Sequence, residues 1–306
     1  MPWREPLLDI VVKAAAYASC IGLGAASITL IYSSTRTFNF AHASMVAWGF
    51  YVTFALTYAT GLSPYLFVPI AALFSALLGL ITYYSVNRRL LRVGASELTL
   101  MMSTLGVDLV LFGALNIFAD YLLKVHKYPA KYFLLETREI YIAGLRLVGV
   151  VAPAVLALAV ILLGVLLYRT KLGIAFRATI ENQALAQLCG VNPNKIYSLA
   201  WLIGGALAGL AGSLLSLVVS GYTAVGMTLI VTFFAGSIVG GLYSVYGSLL
   251  GGLLVGLGEY LGVALLGQAI GGWIYAYRPA IPLALIAATL LLQPSGLAAL
   301  MHRTSR

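Results

Sequence analysis

Five polar side chains stand in stretches that are otherwise apolar: Asn39, His42, Thr104, Asp108 and Glu259. Polar groups at membrane depth are costly unless they face protein or water. Asn39 and His42 are flanked by Phe38 and Phe40 at the start of an apolar run. A helix broken there would turn backbone amides toward a ligand carboxylate; the other reading is that the two residues cap a span at the interface. Asp108, with Thr104 four residues earlier, and Glu259, beside Tyr260, could each meet an ammonium group. Either acid could equally accept bonds from a neighbouring helix or a water. Both readings are open on the residues alone.

Other chemistries find no support. The three histidines, His42, His126 and His302, fall in different regions and form no metal-ligand cluster. The chain contains no Gly-Lys dipeptide, so no Walker-type nucleotide loop can be built. Cys20 lies in an apolar run and Cys189 in a polar one, which argues against a disulfide framework. No catalytic grouping appears, and no cofactor is expected to be bound by this chain.

The elements that position these residues follow from composition. The chain is 61% hydrophobic and 9% charged, with mean hydropathy +0.99, whereas soluble domains are about 25% charged. Windows free of Asp, Glu, Lys and Arg run 14–35, 37–87, 147–168, 196–258, 260–277 and 279–302. A crossing helix needs about 20 apolar residues, so the longest windows hold two or three crossings each. Their continuous rather than alternating polarity argues against a β-barrel. Nothing at the N-terminus resembles a cleaved signal. The expected spans are 10–32, 40–60, 64–86, 98–119, 147–168, 196–219, 226–242, 247–267 and 279–297, with breakers between them at Gly61-Leu62-Ser63-Pro64, Asn87-Arg88-Arg89, Asn192-Pro193 and Arg278-Pro279, and with 226–242 a candidate for a kinked or half-length helix.

Orientation follows from the basic loops. Arg88, Arg89 and Arg92, then Arg169, Lys171, Arg177 and Lys195, then Arg303 and Arg306 are separated by even numbers of spans and so share one side, the cytoplasmic one by the positive-inside rule. Parity places 120–146 outside; it mixes Lys124, Lys127, Lys131, Arg138 and Arg146 with Asp120, Glu136 and Glu139. The net charge of +9 belongs mostly to loops and reads as topology signal and lipid-headgroup contact. It carries no nucleic-acid meaning.

Residues 169–195, RTKLGIAFRATIENQALAQLCGVNPNK, form a polar segment between two charge-free blocks. The composition of Gly173 to Cys189 predicts a helix on which Ile174, Ala178, Leu185 and Leu188 share an apolar face. Gly190 fits the left-handed position after a helix. Asn192 caps the next helix, with Pro193 at its first position. A water-soluble hairpin kept between membrane spans suggests that something on that side binds it.

Here a resemblance enters. Gly173, Arg177-Ala178, Asn182, Ala186 and Gly190 resemble the coupling-helix loop of ABC importer permeases, with the spacing of the branched-chain amino acid permease family. Leu30-Ile31-Tyr32 followed by Asn39-Phe40-Ala41-His42 resembles that family's LIYG…NFAHG signature. Gly240-Gly241-Leu242-Tyr243-Ser244 with Gly247 and Gly251-Gly252 resembles its glycine-rich signature. The likeness spans roughly residues 10–295. Departures stand at Ala43 and Tyr243, where the family has glycine, at Asp108, where small or hydroxyl residues are commoner, and in the long charged loop; they bear on substrate more than on membership.

The resemblance implies an all-α, polytopic transmembrane bundle of about 8–10 spans, with broken helices and a cytoplasmic coupling helix. It forms one domain, 1–306, with the coupling segment at about 169–195 and the extracytoplasmic loop at about 120–146. It implies a non-enzymatic permease subunit in the plasma membrane, its C-terminus cytoplasmic, translocating branched-chain or other small hydrophobic amino acids. Two ATPase subunits, a second homologous permease, an extracytoplasmic substrate-binding protein and membrane lipid are the implied partners. Gly173, Arg177, Ala178, Glu181, Asn182, Ala186 and Gly190 are the expected docking residues. Asn39, His42, Thr104, Asp108 and Glu259 are the expected pathway residues. The alternatives are a related permease for urea, short amides or sugars, and an ion-coupled secondary transporter using acids such as Asp108.

Overall fold

The computed structural model describes residues 4–142, 144–293 and 296–298; nothing is stated for the side chains of residues 4–7 and 142. The tail with His302, Arg303 and Arg306, whose side was inferred from parity, lies outside the described residues. In chain order the helices are α1 (Arg4–Thr35), α2 (His42–Thr60), α3 (Val68–Thr82), α4 (Arg88–Arg92), α5 (Glu97–Lys124), α6 (Val148–Gly164), α7 (Lys171–Glu181), α8 (Gln183–Leu188), α9 (Pro193–Leu215), α10 (Val225–Gly240), α11 (Val245–Ile270) and α12 (Ala280–Leu292).

Six continuous helical rods are long and apolar enough to cross a bilayer: Leu8–Thr35, Pro64–Arg92, Glu97–Lys124, Val148–Arg169, Pro193–Leu215 and Val245–Ile270. The other three expected spans correspond to α2, with 19 residues, and the shorter apolar α10 and α12. Asn87-Arg88-Arg89, read from sequence as a breaker, does not end the second rod, Pro64–Arg92: a π-helical turn at Tyr83–Asn87 carries α3 into α4.

The bundle is organised around α1 and α9. Nearly every side chain of α1 from Ala14 to Thr35 is buried, as expected of a helix that is apolar all round. It packs on α6, α9, α10 and α11. The small residues of α9 serve three neighbours at once. Gly204 faces Ile31 of α1, Gly205 and Gly209 face Ser75 and Ala71 of α3, and Gly212 lies on the Val46 carbonyl of α2. Lipid tails are as apolar as leucine, so close backbone packing rather than water exclusion holds such helices together.

Side-chain pairs fasten the segments of each end together. At one end, Glu136 Oε1 takes Lys13 (2.8 Å) and Arg146 (2.6 Å), while Asp9 takes Arg146 (2.6 Å). The Phe133 and Gly221 backbones form a β-bridge there, and Tyr132 donates to Ser220. The loop 120–146 contains an antiparallel hairpin, β1 (Tyr141–Ile142) with β2 (Leu145–Arg146). This ladder of two residues per strand, the sheet found among the described residues, leaves the fold all-α. At the other end, Arg36 donates to Tyr243 (2.7 Å), Thr37 to Asn87 (3.3 Å) and Tyr83 to Asn194 (3.3 Å). Loops 88–92 and 169–195 therefore share an end, opposite 120–146, in the arrangement that parity requires.

Gly212→Leu should force α2 off α9 and destabilise the bundle by ~1–3 kcal/mol. Gly106→Ala, whose added Cβ would meet nothing within 4 Å, should be neutral. Thermal aggregation of the detergent-solubilised protein, followed by size-exclusion chromatography, separates the two; equal midpoints would remove the packing role.

Candidate functional site

The interior cluster begins where α1 stops. After Thr35 the chain turns at Arg36 (φ 53°) and runs back beside the bundle core, so that α2 starts level with Ser27 of α1. Ser27 Oγ donates to the Gly204 carbonyl (2.6 Å) and lies 3.3 Å from His42 Nδ1. A hydroxyl has one proton, so Nδ1 must carry the imidazole hydrogen. Nε2 is then a bare acceptor with no partner among the described residues, and the ring packs edge-on against Phe233 at 5.2 Å. Asn39 is buried as well: its amide reaches Met45 Sδ at 3.9 Å and its Oδ1 has no partner among the described residues.

The first amides of an α-helix have no intrahelical acceptor. At α2 the His42 and Ala43 amides bond to the Asn39 and Phe40 carbonyls just before the helix, and the turn and the third helical amide find acceptors on α5. Phe40 N donates to Thr104 Oγ1 (3.1 Å) and Ser44 N to Asp108 Oδ1 (3.0 Å); Ser44 Oγ returns a bond to the Asp108 carbonyl (3.1 Å). Thr104 and Asp108 lie four residues apart, hence on one face of α5, and together form an N-terminal cap supplied from a different helix. A carboxylate there also meets the positive end of the helix dipole. The structure thus unites Asn39, His42, Thr104 and Asp108. Of the two readings open for Asp108, the bond from a neighbouring helix is the one present: Oδ1 accepts from the Ser44 amide, so that amide is not free for a ligand.

Glu259 lies elsewhere. Tyr17, which bonds it, is ten residues before Ser27 on α1, about 15 Å along the axis, toward the end that carries 120–146. Tyr17 Oη donates to Glu259 Oε1 (2.9 Å) and Arg278 Nε donates to the same oxygen. The guanidinium stacks over Tyr17, 4.6 Å from the ring centroid. Sequence reading used Arg278 only as a breaker and passed over Tyr17. The available signal was that Glu259 and Arg278 are single opposite charges bounding otherwise charge-free windows.

The polar segment differs from expectation in one respect. Instead of one helix it forms two, because Asn182 leaves the helical region (φ −151°, ψ 101°) and caps α8 by accepting from Leu185 N (3.0 Å). Asparagine's preference for that position was the overlooked signal. The turn at Gly190 (φ 81°) and the Asn192-Pro193 start of α9 are as expected. Arg177, Glu181, Asn182 and Gly190 are exposed and Ala178 is half-buried. Gly173 is buried, and an added Cβ there would meet the Leu166 and Leu167 carbonyls. Ala186, expected to seat in a partner's groove, is only 4% exposed and already packed within this chain. The large apolar side chains actually presented are Leu172, Ile174, Leu185 and Leu188, the last 85% exposed.

Two departures from the signatures have local accounts. Tyr243 accepts from Arg36 and lies 4.8 Å beneath its guanidinium. At Ala43 the backbone carbonyl lies where a Cβ on Gly226 would be, so the close approach there relies on the glycine of α10.

A multi-span helical bundle with interrupted helices, buried polar groups and a polar segment at one end defines a multi-pass membrane transport protein. The chain matches the family described as branched-chain amino acid transport system / permease component over residues 10–293 and belongs to it. The probable branched-chain amino acid transport permease protein LivH of Methanocaldococcus jannaschii is 36% identical over 288 residues, 94% of this chain and 91% of that protein. The high-affinity branched-chain amino acid transport system permease protein BraD of Pseudomonas aeruginosa is 27% identical, with 97% of each chain covered. LivH of Salmonella typhimurium is 26% identical, with 91% of each covered. No solved structure matches the chain. The protein is therefore a transport subunit rather than an enzyme, a membrane component of a multi-subunit system and a multi-pass plasma-membrane protein.

Asp108→Ala removes the acceptor for Ser44 N and should lower stability by about 1–2 kcal/mol. Asp108→Asn, which keeps an acceptor oxygen, should lose much less. Unfolding midpoints of the purified variants check this; equal losses would mean that charge, rather than capping, is what α2 needs.

Proposed function

We propose that this chain is the membrane subunit of an ATP-driven importer of leucine, isoleucine and valine. Two ATPase subunits, a second permease and an extracytoplasmic binding protein complete the assembly. The observation that carries the reading is the family match across nearly the whole chain, 10–293, joined to an exposed helical hairpin at 171–188. In this reading loops 88–92 and 169–195 face the cytoplasm and 120–146 faces outward. ATP-driven closure of the ATPase pair moves α7 and α8, and the bundle shifts between inward-open and outward-open populations.

The packing of this chain changes which residues carry the docking. Leu185 and Leu188 form its apolar contact, with Arg177, Glu181 and Asn182 around them. Ala186 and Gly173 shape the hairpin from within, and Gly190 sets its exit turn.

Proteoliposomes containing the chain with its cognate partners should accumulate labelled leucine only with internal ATP and binding protein. Isoleucine and valine should compete, while urea and sugars should not. ATP-independent uptake by the permease alone would overturn the reading. Replacing Leu185 and Leu188 together with Asp should release the ATPases during purification while the permease still inserts. Retained ATPase would move the docking contact elsewhere. A cysteine at position 131 should react with an impermeant thiol reagent added to intact cells, and one at 171 should not; the reverse pattern would invert the topology.

A further inference from the structure

The pair Glu259 and Arg278 does more than neutralise itself. Both of its hydrogen-bond donors, Tyr17 Oη and Arg278 Nε, converge on the single oxygen Oε1 of Glu259. Oε2 is buried and makes no hydrogen bond among the described residues, and Arg278 Nη2 is in the same condition. The Glu259 side chain is 3% exposed. A buried polar atom without a partner is destabilising, more so for a charged group. Here two such atoms of opposite charge occur in one ion pair.

The pair also lines a cavity. A space of about 350 Å³ is bounded by the 219–225 turn, α10, α11 and the Gly271–Pro279 segment, with Glu259 and Arg278 in its wall. That volume lies within the range of small-ligand pockets. The rest of the wall supplies Val219, Val225 and Leu229 as apolar surface and Thr228 as a hydroxyl near the rim. The cavity lies at the end of the bundle that carries 120–146, where the β-bridge from Phe133 to Gly221 fixes one edge.

We infer that this cavity is a binding site for the zwitterionic head of an amino acid, with Glu259 receiving the ammonium, Arg278 the carboxylate, and Val219, Val225 and Leu229 the side chain. An α-amino acid carries its two charges on neighbouring atoms. Laid antiparallel against a carboxylate–guanidinium pair, it gives each protein charge a second opposite charge and leaves the existing bond intact. A ligand with only one charge would satisfy one head and leave the other bare. The shared ion pair keeps the contacts moderate, which suits a site that must release its occupant. This inference rests on the import of amino acids proposed above and assigns that function a site, distinct from the Asp108 cluster, whose acid is committed to capping α2.

The test uses the full assembly in proteoliposomes with Thr228→Cys in a Cys189→Ser background. Thr228 is exposed at the rim, and Cys20 is buried. Saturating leucine should slow modification of the cysteine by a methanethiosulfonate reagent. Isocaproate, which lacks the ammonium, and isoamylamine, which lacks the carboxylate, should not. Adding Glu259→Gln should abolish protection and reduce leucine uptake at least about tenfold, the loss expected when a charge-assisted contact is removed. Membrane abundance and ATPase copurification should be unchanged. Leucine uptake without any protection in the Thr228→Cys protein would overturn the site while the import reading stands. Equal protection by either single-charge analogue would overturn the zwitterion pairing. Absence of branched-chain uptake by the intact wild-type assembly would overturn both together.

Discussion

The constraint on which the rest of this structure depends is that α2 begins inside the bundle. Away from water, a helix start leaves amides that must find acceptors within the protein. The chain meets this demand in part with its own turn, the Asn39 and Phe40 carbonyls taking the His42 and Ala43 amides, and in part with α5: Thr104 and Asp108, one turn apart, accept from Phe40 N and Ser44 N. That requirement fixes the register of α5 against the 36–44 segment. The re-entrant turn in turn brings His42 beside Ser27 and places Asn39 in the core. An acid that looked in isolation like a candidate for ligand binding is thereby explained as part of the scaffold.

The second organising feature is where charge is permitted. The charged loop 120–146, which mixes both signs of charge, is partly neutralised by pairing. Asp9, Lys13, Glu136 and Arg146 form one network, and Asp120 pairs with Lys131 at 2.7 Å. Burial opposes the charged form of Arg146, but its bond to Asp9 and the nearby Glu136 carboxylate outweigh this and hold its pKa above the usual arginine range. The network fastens the start of α1 beneath the loop, so the most buried helix of the bundle is anchored at the end where the Glu259–Arg278 cavity lies. By contrast, the opposite end presents exposed leucines on a short polar hairpin.

Much of this was legible in the residue order. Long apolar stretches located the nine apolar helices of the described residues, eight in charge-poor windows and α5 despite Asp108 within it, because the bilayer thickness sets a length that composition alone reveals. Gly190, Asn192 and Pro193 marked the exit of the hairpin, because their backbone preferences are local. Asn182 carried the same kind of local signal for a break between α7 and α8, and it was overlooked among the helix-forming residues around it. The π-helical turn that carries α3 through Asn87 had no comparable signature, since polar and basic residues at a membrane edge suit both a helix end and a helix that continues into water.

What the sequence determined by itself was therefore the class of protein, the span positions, the relative sides of the loops and the family. Those depend on hydropathy, charge and short-range preferences, all of which are additive along the chain. Only the tertiary structure decided which polar groups are spoken for. Asp108 and Glu259 look alike in sequence, each a lone acid in an apolar stretch. Their roles diverge because one meets helix amides 64 residues away and the other a tyrosine 242 residues away and an arginine 19 residues away. Likewise Ala186 proved internal and Leu188 external, because burial is a property of the neighbours a helix acquires, and those neighbours are chosen only when the chain packs.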